Sequence, residues 1–344
     1  LVSLSGDGNT VAIGAPNNTN NTGHVRIYNW NGASWNQIGN DIDGETAGDE
    51  SGCSVSLSSD GNILAIGAIK NEPSVPENSS GHVRVFNYDG AGWVQIGQDI
   101  DGEVADDVSG WSISLSSDGN TLAIGAPRNS ENGYYSGHVR IYSYNGGSWI
   151  QLGSDINGEA AGDESGHSVS LSSDGNTVAI GAQSNDENGL YSGHVRIYNY
   201  NGSSWNQLGQ DIDGDYSDQS GWSVSMSDDG NIVAVGAPGH DVQSIQNVGR
   251  VKIYNWNGIY WDQLGQDISG EGWGANCGKS VSLNSAGNSL AIGSPGFDDI
   301  AGTGWGAVGN VRIYNWDGSS WIQWGQNIIG EAGSDESGWS VSLS

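Results

Sequence analysis

From Ser54 to Ser58 polar and apolar residues alternate strictly, the period-2 signature of a half-buried strand. After Asp60-Gly61 comes an uninterrupted apolar run, Ile63-Leu64-Ala65-Ile66, which ends at Gly67. A loop follows, and His82-Val83-Arg84-Val85-Phe86 reads as a third strand. Asp89-Gly90 turns the chain into a fourth, Trp93-Val94-Gln95-Ile96. Asp-Gly between two such runs predicts a tight type I′ hairpin, because that turn needs positive φ at both central residues. The third-to-fourth turn recurs as Asn31-Gly32, Asn145-Gly146, Asn201-Gly202, Asn257-Gly258 and Asp317-Gly318. The pattern therefore predicts a four-stranded antiparallel meander with two tight turns, and no helical periodicity interrupts it.

The whole unit repeats. Its opening, Ser-Gly-x-Ser-Val/Ile-Ser-Leu/Met-Ser or a close variant, starts at Ser51, Ser109, Ser165, Ser220, Cys277 and Ser337, a period of about 55–60 residues. A fixed period of this size marks a solenoid or a propeller. Solenoid coils are usually shorter, and four strands per copy with both faces apolar must stack on neighbours. The fold class expected is all-β, a β-propeller of four-stranded antiparallel blades. Repeats fall at 1–50, 51–108, 109–164, 165–219, 220–276 and 277–336 of one propeller, with 337–344 as a partial seventh or closing strand. Six blades follow from the repeat count. Seven are expected if the chain is a fragment, because Ser340-Val341-Ser342-Leu343-Ser344 duplicates the strand at Leu1 to Ser5.

Several of these words form a resemblance. The Gly-x-Ser-Val opening, the Gly-Ala-Pro after strand two (Gly14-Ala15-Pro16, Gly125-Ala126-Pro127, Gly236-Ala237-Pro238) and the Gly-x-Val-x-Ile-Tyr of strand three resemble FG-GAP repeats, the units of integrin α propellers. Trp-x-Gln and the linker Gly-Glu-Ala-Ala-Gly-Asp-Glu-Ser-Gly are similar to FG-GAP-like repeats of large secreted or cell-surface proteins of marine microbes and algae. The resemblance implies an extracellular, non-enzymatic scaffold or adhesion module. Integrin-type blades often carry a calcium loop between strands one and two. Here that segment is Ser59-Asp60-Gly61-Asn62, and one carboxylate cannot supply the six to eight oxygens calcium takes.

Charge narrows the partners. With 40 Asp+Glu against 10 Lys+Arg the formal net charge is -30, which repels nucleic acid and anionic lipid and attracts divalent cations. No apolar run is long enough to span a membrane. Cys53 and Cys277 sit at different offsets in non-neighbouring copies, so no disulfide framework is expected.

In a meander the 2–3 loops and 4–1 linkers share one face. That face carries the variation, in the 2–3 loops at 17–22, 69–80, 183–192 and 296–308, and it carries the acid. The linkers place carboxylates at Asp41, Asp43, Glu45 and Asp49, at Asp99, Asp101, Glu103 and Asp107, at Asp155, Glu159 and Asp163, and at Asp211, Asp213, Asp215 and Asp218. This spacing makes Asp41, Asp43, Glu45, Asp49, Asp99, Asp101, Glu103, Asp107, Asp211, Asp213 and Asp215 candidate Ca2+ ligands. The competing reading is that these acids accept backbone hydrogen bonds in turns.

The position after Ser-Gly changes from copy to copy, as Cys53, Trp111, His167, Trp222, Lys279 and Trp339. Trp111, His167, Trp222, Lys279 and Trp339 are candidate partner- or ligand-binding residues at the mouth of the central channel. The strand-four tryptophans (Trp35, Trp93, Trp149, Trp205, Trp261, Trp321) read as inter-blade packing. Arg26, Arg84, Arg140, Arg196, Lys252 and Arg312 read as framework cations paired within their own or the next blade. The strand-three His24, His82, His138 and His194 give way to Arg250 and Asn310, so this histidine does not read as a repeated metal ligand. Sequons at Asn17, Asn20, Asn78 and Asn201 are candidate glycosylation sites.

The function expected is a non-enzymatic extracellular scaffold or adhesion module, within a larger chain or filament if the chain is a fragment. It meets a protein or glycan of the cell surface or matrix through the loop face. The alternative is a lectin-like propeller using its aromatic mouth. A hydrolase ranks last, since no Ser/His/Asp set or His-rich cluster breaks the repeat.

Overall fold

The computed structural model describes residues 1–71, 79–298 and 306–344. It is an all-β, six-blade propeller of antiparallel sheets, with one four-residue helical turn, Asn18–Asn21. Two compact units are distinguishable, Leu1–Val178 with Asn199–Asn206 and Ser344, and Ala179–Tyr198 with Gln207–Leu343. Blades one to three lie in the first and blades five and six in the second.

Blade three is representative. Its strands are Ser112–Leu115, Thr121–Ala126, His138–Tyr144 and Trp149–Gln151, paired in chain order, with Ile113 opposite Ile124 and Ile124 opposite Arg140. The fourth strand is broken, a feature the hydrophobic pattern does not predict. Trp149–Gln151 pairs with the C-terminal end of strand three, and Ile156–Asn157 returns to pair with Val139 and His138. Gly153, at φ 78°, makes the break, a conformation that favours glycine. The Gln of Trp-x-Gln spans it, since Gln151 Nε2 donates to Asp155 Oδ1 at 2.5 Å. The first acid of each linker therefore sits just before the return strand, and Asp43, Asp101 and Asp213 are strand residues.

The uninterrupted apolar run of strand two is explained by burial on both faces. Leu57, Leu64, Ile66 and Phe86 of blade two pack on Ala12, Val25, Ile27 and Ile42 of blade one. Ala65, Val83, Val85 and Ile100 on the other face of blade two meet Leu115, Leu122, Ile124, Tyr142 and Trp149. Each fully buried Leu, Ile or Val contributes about 1.5–3 kcal/mol. Polar positions of the innermost strand hold blades together as well. Ser112 Oγ donates to Gly166 O at 2.8 Å, and Leu171 N donates to Ser114 Oγ at 3.0 Å. A Cβ on Gly125 would lie 2.1 Å from Gly166 O, so the Ile-Gly-Ala and Ser-Gly words mark a backbone-to-backbone approach between blades.

Five of the six strand-four tryptophans are inter-blade residues as expected, whereas Trp35 is 45% exposed and packs on Trp30 of its own blade. Trp149 Nε1 donates to Ile96 O at 3.1 Å, and Trp93, Trp205, Trp261 and Trp321 make the equivalent bond. The tight turns differ from the expected type I′ form. In Ser58-Ser59-Asp60-Gly61 only Gly61 has positive φ, and Gly61 N donates to Ser58 O. The Asp60 carboxylate accepts from Ser58 Oγ, Asn62 N and Asn62 Nδ2, so it is fully used by its own turn.

Candidate functional site

The 2–3 loops and 4–1 linkers do share a face. In blade three, Gly162 N and Glu164 N of the following linker donate to Tyr134 O and Tyr135 O at 2.9 and 3.0 Å, and Ser165 N donates to Ser136 O at 3.0 Å. On this face a cavity of about 650 Å³ opens between residues 103–107, the 2–3 loop residues 128–135 and Asp155.

The loop is shaped by Asn129, which is buried. Its Nδ2 donates to Asp107 Oδ2 at 3.1 Å, its Oδ1 accepts from Glu131 N at 3.0 Å, and its carbonyl accepts from Gly137 N at 2.9 Å. Asn132 Nδ2 ties the tip to Gly158 O at 2.7 Å. Tyr134 and Tyr135 stack with centroids 4.0 Å apart, and the Arg128 guanidinium lies 5.8 Å from the Tyr135 ring centre. Arg128 has no carboxylate partner among the described residues. At this loop position the six blades carry Asn17, Lys70, Arg128, Ser184, Gly239 and Gly296.

Below the loop, ligand atoms of Glu103, Glu131, His138 and Asp155 lie within 4.8 Å of one another. His138 is 1% exposed, and its Nδ1 has no hydrogen-bond partner among the described residues; a carboxylate oxygen of Asp155 is 3.8 Å away. Burial and the Arg140 charge pull this histidine down to about 4, so the imidazole is neutral at physiological pH. Burial pushes Glu103 and Asp107 above the ordinary carboxylate range, against the attraction of Arg140 in both and of the Asn129 amide at Asp107.

The expected calcium ligands do not group along single linkers. The ninth-position acids act as turn acceptors. Asp49 accepts from Glu45 N and Thr46 N at 2.9 and 2.7 Å, and Asp107 accepts from Val104 N at 3.0 Å. The first-position acids bond the Trp-x-Gln side chains, as in Asp41 with Gln37, Asp99 with Gln95 and Asp211 with Gln207; Asp41 also pairs with Arg26 at 2.9 Å. At Asp43 and Asp101 the backbone carbonyl accepts from Arg84 and Arg140, each at 2.7 Å. The framework arginines thus reach back to the preceding linker, where Glu45 and Glu103 also face them at 3.8 and 3.6 Å. Asp213 is pushed upward by burial, and Asp215 pairs with Arg250 at 2.5 Å. Glu103 alone of these candidates joins a four-residue group described within one unit. Its partners come from the loop, from strand three and from the return segment, and one of them is a strand-three histidine that the repeat pattern argues against as a ligand.

Within each unit, side chains at the variable position after Ser-Gly approach one another. Trp111 and His167 rings lie 5.6 Å apart. Lys279 Nζ sits 3.4 Å from the Trp222 ring centre and 5.3 Å from that of Trp339. Burial pulls this ammonium down to about 8. Of the sequons, Asn17, Asn20 and Asn201 are exposed, and Asn78 lies outside the described residues.

Residues 157–198 match the family model described as FG-GAP repeat. They run from the end of blade three's return segment into strand three of blade four, and the other copies repeat these words in register. The chain is a propeller of FG-GAP-like repeats. No curated protein matches it. Among solved structures, a candidate 6-phosphogluconolactonase from Bacteroides uniformis ATCC 8492 is similar, with a TM-score of 0.63 at 13% identity, over 97% of this chain and 86% of that one. A second candidate 6-phosphogluconolactonase, from Bacteroides fragilis NCTC 9343, has a TM-score of 0.59 at 12% identity, over 97% and 85%.

At this identity the likeness carries the fold. It still corrects the expectation of a non-enzymatic adhesion module with a lectin-like alternative, which rested on the FG-GAP resemblance and on the lack of a Ser/His/Asp set, because the similar propellers are described as 6-phosphogluconolactonases. The propeller fold is therefore compatible with an enzyme. No helix among the described residues is long and apolar enough to cross a membrane.

Proposed function

We propose that this propeller is a hydrolase of small, uncharged sugar lactones, acting in the blade-three cleft. The observation that carries the reading is that blade three combines an Arg128 without a carboxylate partner, a stacked tyrosine pair and a carboxylate group around one cavity. The names of the structural neighbours supply the reaction class. Charge supplies the restriction: with a net charge of -30 and Glu103, Glu131 and Asp155 in the cleft, a phosphorylated substrate is repelled and a neutral one is not.

In this reading the tyrosine pair stacks on the sugar face and Arg128 hydrogen-bonds the lactone carbonyl. A carboxylate of the cluster takes a proton from the attacking water. The carbonyl oxygen gains charge opposite the guanidinium, the ring C–O bond breaks, and the proton returns to the ring oxygen, giving the hydroxy acid. General-base assistance contributes on the order of 10²–10⁴ in rate, and a donor aimed at the oxyanion about 10²–10³.

The test is a pH-stat assay with glucono-1,5-lactone and its 6-phosphate, corrected for spontaneous opening. Saturable hydrolysis of the neutral lactone is expected, with Arg128→Ala lowering kcat/KM at least about 10²-fold. A neutral-lactone rate equal to the spontaneous one, or a preference for the phosphorylated substrate, refutes the proposal.

A further inference from the structure

We infer that blade three holds a divalent transition-metal ion between Glu103, Glu131, His138 and Asp155. The comparison that carries this lies within the same chain. In blade five the strand-three position of His138 is occupied by Arg250, which pairs with Ala237 just as His138 pairs with Ala126. Asp267 takes the place of Asp155, since each accepts from the Gln of its own Trp-x-Gln. Asp215 takes the linker place of Glu103. The Arg250 guanidinium sits among these acids, 2.5 Å from Asp215 and 3.2 Å from Asp267, and also bonds Asp218. Blade five therefore carries a built-in cation where blade three has the same acids around a short imidazole.

Blade three adds two features that suit an ion rather than a side chain. Glu131 brings another carboxylate from the 2–3 loop, and His138 Nδ1, buried and without a hydrogen-bond partner among the described residues, is directed at the acids. The ligand atoms span at most 4.8 Å. Ligands of a four-coordinate ion at bonds of about 2.1 Å lie roughly 3.4 Å apart, so side-chain movements of about 1 Å would close the site. One imidazole nitrogen with carboxylates fits a borderline dication such as Zn2+ better than Ca2+, which takes oxygen ligands. Glu45, His82 and Asp99 form a three-residue counterpart in blade two. Blade six, with Asn310 and Asn327, has lost both the imidazole and the acid. Such an ion would supply water activation in place of a carboxylate base in the proposed lactone hydrolysis, but its binding does not depend on any activity.

The chelator-stripped full chain is titrated with Zn2+ against a chromophoric chelator, in a large excess of Ca2+ and without lactone. Zn2+ is expected to bind despite the Ca2+. His138→Arg, which copies blade five, is expected to remove one equivalent while the thermal midpoint is kept or raised. Arg250→His is expected to add one. Glu131→Gln, an exposed change that leaves the fold alone, is expected to weaken one equivalent at least tenfold. Unchanged Zn2+ stoichiometry and affinity in His138→Arg and Glu131→Gln, or displacement of Zn2+ by comparable Ca2+, overturns the inference. A chain that binds Zn2+ but opens no lactone refutes the proposed function and leaves the metal site standing.

Discussion

Replacing Arg250 by methionine removes the built-in cation of blade five while keeping most of its volume, and its cost can be divided among three carboxylates. Asp215 and Asp267 are well exposed, so each pairing contributes about 0–1 kcal/mol. Asp218 is different: it is 2% exposed and Arg250 7%. Stranding a buried charge by removing its partner costs about 3–5 kcal/mol. Asp218 keeps bonds from Asp215 N at 3.0 Å and from His240 Nδ1 at 2.8 Å, which favours the low end, about 3 kcal/mol in all. The pH dependence has a definite sign. Arg250 holds the Asp215 carboxyl below its ordinary 3.8, so in the wild type this pairing stabilises above that value and is lost as pH falls through the lowered one. Arg250→Met lacks this pairing at every pH. The deficit of the variant should therefore hold from pH 7 down to the ordinary 3.8 and shrink as pH falls below it. Urea titrations followed by tryptophan fluorescence, with exchange protection of Arg250–Trp256, measure both effects. A loss below about 1 kcal/mol at pH 7, or a deficit that grows on acidification, refutes this division of energy among the three carboxylates.

Two further stability predictions follow the inter-blade geometry. Gly125→Ala places a Cβ 2.1 Å from Gly166 O and should destabilise by about 3 kcal/mol in urea. Gly146→Ala meets nothing within 4 Å, so the penalty there is the positive φ alone, about 1–2 kcal/mol; equal losses would remove the close-approach argument. Lys279→Met should be more stable than the wild type at pH 7, where burial of the ammonium is unfavourable. Because the folded value is near 8 and the ordinary one 10.5, the unfolded chain binds more protons between them, and wild-type stability rises there. The advantage of Lys279→Met should shrink between pH 8 and 10.5 in paired urea titrations, and a widening gap would contradict it.

Most of the fold is legible in the sequence because blade residues act through periodicity, and periodicity survives in the chain order. Ser-Val-Ser-Leu, Leu-Ala-Ile and Val-Arg-Ile-Tyr predict three of the four strands in every copy. The break in the fourth is not legible, because its cause is a bond between Gln151 and Asp155 across a glycine, and no hydrophobic period reports it. The acidic linkers mislead for a related reason. Spacing along one linker suggests a single loop around an ion, whereas Asp99 is held by the Gln95 side chain, Asp101 by strand pairing and Asp107 by its own turn.

In the sequence, the replacement of the strand-three histidine by Arg250 and Asn310 in two copies argues against a metal ligand. The structure turns that objection around. A metal ligand that is simply lost leaves clustered acids uncompensated, and blade five meets that cost with a guanidinium among Asp215, Asp218 and Asp267. Blade six meets it by replacing the acid with Asn327. Substitutions that keep charge and cavity in step from blade to blade are what a cation site under drift leaves behind, whereas acids serving only as hydrated turns would have no reason to change together with a buried strand residue.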